Sequence, residues 1–273
     1  MAWESVVFQY DGTFDGFLCC IFESYVHKEF PTAFFSDEEC LLSLYSVRTI
    51  LTIPEHARRI YRSIVKRSPA AADLLRRCFL TCLPDKELHM YRFVRKLYQE
   101  GITFLKNQAD DVYHPIAKAV RHLNGELEKL RGFVRFSDYN GTLGAEIEPK
   151  NRVLPLLRSH FCNRYANESL FIYDRTHGDL LLDTKGRSQI ISVDSWQMAL
   201  PGEEEVYYRS LWKKFYETIA IKERYNPRCQ NTFMPKRYRH TMTEFLPVDH
   251  ERQNALPSAT KSHLPPQEKS SGT

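Results

Sequence analysis

Between Pro54 and Leu130 apolar residues return every three or four positions, and after Leu130 that period gives way to alternation. A switch of this kind requires two sorts of building block in one chain, a run of helices and then a set of strands. The helical run includes Ile60 and Ile64, then Met90, Phe93, Val94 and Leu97, then Ile116, Val120, Leu123, Leu127 and Leu130. Pro54 and Glu55 suit a first helical turn. Further helices are predicted at about 69–81, 84–99 and 112–130, with no strand-like break and no repeat. Arg58, Arg62 and Lys66 are four apart and share one helix face, as either a phosphate-contacting or a solvated surface.

After Leu130, Gly132–Phe136 and Leu143–Ile147 both alternate, with Tyr139-Asn140-Gly141 between them. Asn-Gly flanked by alternating segments is a strong hairpin signal, which would set Glu146 across from Arg135. A helix over 153–165 follows. Strands at Ser169–Asp174, Leu180–Asp183 and Gln189–Val193 are joined by turns too short for parallel pairing. Upstream, Ser5–Tyr10 reads as a strand, Asp11-Gly12 as a turn, Phe14–Phe30 as a helix and Val47–Ile53 as a second strand. Near the other end, Tyr208, Leu211, Trp212, Phe215 and Ile219 give a helix over 206–221 an apolar stripe. The expected fold class is α+β: an antiparallel sheet from residues 132–193 plus the N-terminal strand, with a large helical insertion and a C-terminal helix. The expected organisation is one domain over 1–246, the insertion at about 54–130, and a disordered tail over 247–273, rich in Pro, Ser, Gln and Lys.

At 273 residues with 42% hydrophobic content the chain can build a sizeable core. No apolar run approaches the roughly 20 residues that span a bilayer, and Glu4 and Asp11 sit where a signal peptide would carry basic charge. Seven cysteines without a paired framework fit reduced thiols, so the expected setting is cytoplasmic, with no membrane partner. Cys78 and Cys82 are one helical turn apart but lack two further ligands at metal spacing, so no metal is expected. Asp11-Gly12-Thr13-Phe14-Asp15-Gly16 joins a strand to a helix but lacks the Gly-Lys-Ser/Thr ending of a phosphate loop, and its acids would repel phosphate. Gly-x-Ser-x-Gly, dinucleotide-binding and iron–sulfur patterns are missing as well, and no cofactor is expected.

Two groups remain. Tyr173-Asp174-Arg175-Thr176-His177, with His160 and Arg164 upstream, joins an acid, two imidazoles and two arginines around a strand end. Asp174, His177, His160 and Arg135 are therefore the candidate catalytic residues, while Asp174 as a turn cap is the plainer alternative. The second group is the stretch Arg224–His240, with five Lys or Arg, no acid and two prolines. Its net charge matters more than that of the chain, which is only +4. Arg224, Arg228, Lys236, Arg237 and Arg239 suit phosphates, Tyr238 suits base stacking, and Asn226 and Gln230 suit polar edges. Arg164 and Arg175 join them as candidate nucleic-acid contacts. The alternative is that these arginines tie the terminal segment to acids of the fold.

Five stretches taken together resemble a little-characterised family associated with DNA metabolism and repair. They are Tyr10–Leu18, Gly132–Phe136, His160–Tyr165, Tyr173–His177, and Asn226–Gln230 with Met234–Tyr238. The resemblance implies a DNA-binding accessory protein that assists a radical-SAM repair or modification enzyme. It also implies kinship with domains fused to uracil-DNA-glycosylase-like domains; with no such segment here, a partner would act in trans. Arg239 departs from the Trp that the resemblance leads one to expect. No catalytic residue carries over. A nuclease or nucleobase-processing enzyme centred on Asp174 and His177, and a protein-interaction scaffold, are the competing expectations.

Overall fold

β1 (Glu4–Tyr10) is the middle strand of a three-stranded sheet, and its Val6, Val7, Phe8 and Tyr10 are all buried. The computed structural model describes residues 3–36 and 44–246. Burial on both faces, as in a parallel sheet, explains the apolar run Val6-Val7-Phe8. The turn after β1 is a helix cap. Thr13 Oγ1 accepts from the Gly16 N–H at 3.0 Å, and Asp11 accepts from the Thr13 N–H and from the Thr13 and Thr52 hydroxyls. A Cβ on Gly16 would lie 2.2 Å from an Asp11 carboxylate oxygen, so only glycine lets α1 (Phe14–His27) start this close.

The helix expected to reach Phe30 stops earlier. Lys28 turns into the left-handed region, with φ of 55°, and the chain returns as β2 (Glu29–Ser36), parallel to β1. Pro31 hides this strand from a periodicity reading. β2 is an edge strand, where a missing N–H is tolerated, and the ladder shifts register between Val6 and Val7 as it passes Pro31 and Thr32. β3 (Val47–Thr49) pairs on the other side of β1, also parallel, and is shorter than the expected Val47–Ile53.

The helices follow as α2 (Pro54–Arg67), α3 (Pro69–Phe79), α4 (Lys86–Glu100) and α5 (Tyr113–Phe133). Tyr91, Phe93, Val94 and Leu97 of α4 pack with Phe8, Phe17 and Ile21 in a first core. The last helix is shared: its Ile116 and Val120 belong to the first core, its Leu123, Leu127 and Leu130 to a second.

The helix also runs through Gly132 and Phe133, which alternation assigns to a strand. Phe133 packs against Tyr238 at 5.4 Å, a partner about a hundred residues away that outweighs the local pattern. What remains of the expected strand is β4 (Ser137–Asp138). It pairs antiparallel with β5 (Thr142–Ile147), and Asn140 and Gly141 take positive φ in the turn.

From β5 the chain crosses through α6 (Leu154–Arg164) to β6 (Ser169–Asp174), which lies parallel to β5. Antiparallel ladders then add β7 (Asp179–Thr184) and β8 (Arg187–Ser192). The expected single antiparallel sheet is therefore two sheets. One is parallel, in the order β2-β1-β3; the other is mixed, in the order β4-β5-β6-β7-β8. A helix between β5 and β6 supplies the length that a parallel crossover needs, and β1 finds its neighbours in residues 29–49 instead of the second sheet. The α+β class holds.

The chain closes with α7 (Glu203–Ile219), a 3-10 turn, α8 (Pro227–Phe233) and the 3-10 turns Lys236–Thr241 and Thr243–Phe245. Tyr238 and Met242 are buried in the second core. The expected tail over 247–273 lies outside the described residues.

Candidate nucleic-acid cleft

The terminal stretch is held by its own polar groups. Asn226 caps α8 by accepting from the Cys229 N–H at 3.0 Å, and Gln230 donates to the Tyr216 hydroxyl at 3.1 Å. Arg237 pairs at 2.7 Å with Glu126 and stacks on the Tyr238 ring. Arg239 donates to Asn231 Oδ1 and the Met234 carbonyl and lies over Phe245. These five residues all have work inside the fold. Arg224, Arg228 and Lys236 are exposed, and their side chains have no partner among the described residues.

Arg135 does not meet Glu146. Its guanidinium forks onto the buried carboxylate of Glu244 at 2.7 and 3.2 Å and donates to the Gly132 carbonyl. Glu146 pairs instead with Arg175 at 3.1 Å. Both arginines line a cleft of about 560 Å³ between β4, β5, the segment before α7 and the terminal 3-10 turns. Arg209 from α7 and His240 enter the same cleft. Arg209 bonds Glu205 at 2.8 Å and Ser137 Oγ at 2.6 Å, and His240 pairs with Glu148.

Each arginine of the cleft is thus fixed by a carboxylate, which orients the side chain and tempers the positive field. An anion arriving here would share arginines that are already aimed. Arg175, with 58% of its side chain exposed, is the most accessible of them.

One aromatic ring, Tyr139, lines the cleft, and two more lie behind it. Tyr139 packs on Phe171 at 5.7 Å, and Phe171 on Trp196 at 5.9 Å. A Cβ at Gly144 would come within 2.3 Å of the Phe171 ring, so glycine lets the rings lie on the sheet. Burial raises the Tyr139 hydroxyl pKa, against the opposing pull of Arg209.

Of the sequence candidates, the cleft gathers Arg135 and Arg175; Arg164, Asp174, His177 and His160 are not in its lining. Asp174, fully buried, accepts from the Thr176 and His177 N–H groups and sits 2.7 Å from His177 Nδ1, closing the β6–β7 turn. His160 packs edge-on against Phe161, and burial, with Arg131 and Arg164 nearby, lowers its pKa. Arg164 lies over Tyr165. Among the described residues no group of three or more His, Cys, Asp or Glu side chains is placed to hold a metal ion. Nor is any helix among them long and apolar enough to cross a membrane. Sequence reading missed Arg209, Tyr139 and Ser137, because only the fold brings α7 against the β4–β5 turn.

Replacing Asp174 with alanine strands two backbone N–H groups and is expected to lower unfolding free energy by about 2 kcal/mol. Asp174→Asn, which keeps an acceptor oxygen, should cost about half as much in chemical denaturation. Equal stability of Asp174→Ala and the parent would remove the capping role.

The fold and cleft define an α+β protein with an arginine-lined groove that also carries the Tyr139 ring. The chain belongs to the family DUF4130, described as a domain of unknown function, whose model matches residues 84–244. That span includes Arg135, Arg175, Arg209 and His240 and begins just before α4, inside the first core. No curated protein matches the chain.

Proposed function

We propose that this protein binds DNA as an accessory to a radical-SAM repair or modification enzyme, using the cleft to hold a phosphate-bearing nucleotide unit. The observation that supports the reading is convergence. Arg135, Arg175 and Arg209 come from three separate parts of the chain and face one groove beside the Tyr139 ring. Arginine recognises phosphate bidentately, and exposed bases stack on aromatic rings. The exposed Arg224, Arg228 and Lys236, with Tyr225 and Phe233 exposed among them, offer a track for more of the backbone. The partner rests on the family resemblance alone. The enzyme reading keeps second place on the Asp174–His177 pair, whose carboxylate is already occupied by the turn.

Fluorescence anisotropy with single- and double-stranded oligonucleotides across a salt series tests the proposal. Arg175→Glu combined with Arg228→Glu is expected to weaken binding at least tenfold. It should also flatten the dependence of log affinity on log salt by about one unit for each phosphate left without its arginine. Arg237 and Arg239 are poor probes, because changing them disturbs the terminal segment itself. Affinity that is insensitive to salt and unchanged in the double variant would sink the DNA reading. Co-purification with the enzyme in nuclease-treated extracts, abolished or kept, decides the partner separately.

A further inference from the structure

Helix α7 has no buried residue, yet it carries the apolar stripe expected to face a core. Tyr208, Leu211, Trp212, Phe215 and Ile219 are 57, 43, 41, 52 and 57% exposed. The helix is attached to the body by a different side. Glu205 and Arg209 hold β4, Tyr216 packs on Phe245, Lys213 reaches the Leu246 carbonyl, and at the near edge of the stripe the Arg135 guanidinium lies over the Trp212 ring. Apart from that edge the stripe faces outward, with Trp212 and Phe215 stacked at its centre, 5.7 Å apart.

We infer that this stripe is the contact of a homodimer in which two copies of α7 pair antiparallel about a two-fold axis. Three observations favour a second copy. The seam Tyr208, Trp212, Phe215, Ile219 has spacings of four, three and four, the pattern of a paired-helix seam. That pattern is also symmetric about its midpoint, so reversing the helix places Tyr208 on Ile219 and Trp212 on Phe215. An isologous contact needs such self-complementarity, and a foreign partner does not. Charge fixes the direction. Glu203, Glu204 and Glu205 begin the helix, and Arg224 and Arg228, with one acid, Glu223, follow its end. Antiparallel pairing sets acids toward bases and opposes the helix dipoles, whereas parallel pairing stacks glutamates on glutamates. Five half-exposed large side chains offer roughly 500 Å² per copy, and the exposed Tyr207 and Leu200 beside them bring this toward the roughly 800 Å² of a standard contact.

Light scattering on the full chain, nuclease-treated and at tens of micromolar, is expected to give twice the chain mass. Phe215→Glu with Ile219→Glu should give the single-chain mass with unchanged circular dichroism, since both side chains are more than half exposed. A parent that stays monomeric at about 100 μM, or a double variant that stays dimeric, overturns the inference. The direction is read by cross-linking, with Cys40, Cys82 and Cys229 changed to Ser. Tyr208→Cys with Ile219→Cys should form a disulfide-linked dimer under mild oxidant. Tyr208→Cys alone should not, because eleven residues separate the positions, about 16 Å along a helix. The opposite pattern overturns the antiparallel arrangement.

Discussion

Replacing Glu126 with alanine is expected to cost about 3–4 kcal/mol of folding free energy, the largest single effect in this chain outside the apolar cores. Glu126 is 3% exposed and accepts from the Lys150 and Asn151 N–H groups, the Asn151 side-chain amide and Arg237. It ties α5, the loop before α6 and the terminal 3-10 turn to a single carboxylate. Alanine leaves two backbone donors without an acceptor and the Arg237 charge without a partner. At 2–4 °C per kcal/mol, the melting temperature should fall by roughly 10 °C.

The same site sets a pH dependence. Burial pushes the Glu126 pKa up, but the hydrogen bonds from Lys150 and Asn151 and the charge of Arg237 outweigh it, and the net shift is downward. A carboxyl depressed in the folded state stabilises fully above its unfolded value of about 4.3 and loses that contribution as pH falls through the folded value. Glu126→Gln removes this contribution. The stability gap between parent and Glu126→Gln should be constant near neutrality and close below about pH 4. Urea melts at pH 7 and pH 3.5 check this; a gap of the same size at both would refute it.

The second large effect is expected at Glu244, whose side chain is 1% exposed and receives the Arg135 fork. Glu244→Ala should cost about 2–3 kcal/mol, less than Glu126 because Arg135 retains the Gly132 carbonyl and some access to water. The damage should be local. The neighbouring Phe245 packs on Tyr216 and under Arg239, and Leu246 takes Lys213. Hydrogen exchange over 236–246 should therefore rise while β5–β7 stay protected. A double-mutant cycle with Arg135→Ala should return a coupling above 1 kcal/mol, more than an exposed pair gives. Additive effects would show that the fork contributes nothing of its own.

The fold was legible wherever local signal and tertiary need agreed. Thr13 and Asp11 announce α1, the short turns at 175–178 and 184–187 announce the antiparallel ladders, and Ile116 to Leu130 announce α5. It was illegible where a distant partner decided. β2 hides behind Pro31 because edge placement and a register shift are not local properties. Gly132 and Phe133 read as strand until Tyr238 holds them in a helix. The cleft was half legible. Arg175 stands in a polar cluster and Arg135 interrupts an apolar alternation, both of which draw attention, whereas Arg209 lies on a helix that looks like any amphipathic helix. The basic stretch read as a ligand surface, yet Arg237 reaches Glu126 on a helix that no spacing rule connects to it, and Arg239 is spent on Asn231 and Met234 inside the stretch itself.

Helix α5 carries a further constraint. Its first half points Ile116 and Val120 into one core, and its second half points Leu123, Leu127 and Leu130 into the other. It therefore fixes the angle between two packed layers as a keyed shaft fixes two wheels. One residue added or removed between Val120 and Leu123 would rotate one key against the other by about 100° and slide it by about 1.5 Å. Both cores cannot accept that at once. Changes of length in this chain belong in the turns around α5 and are excluded from its middle.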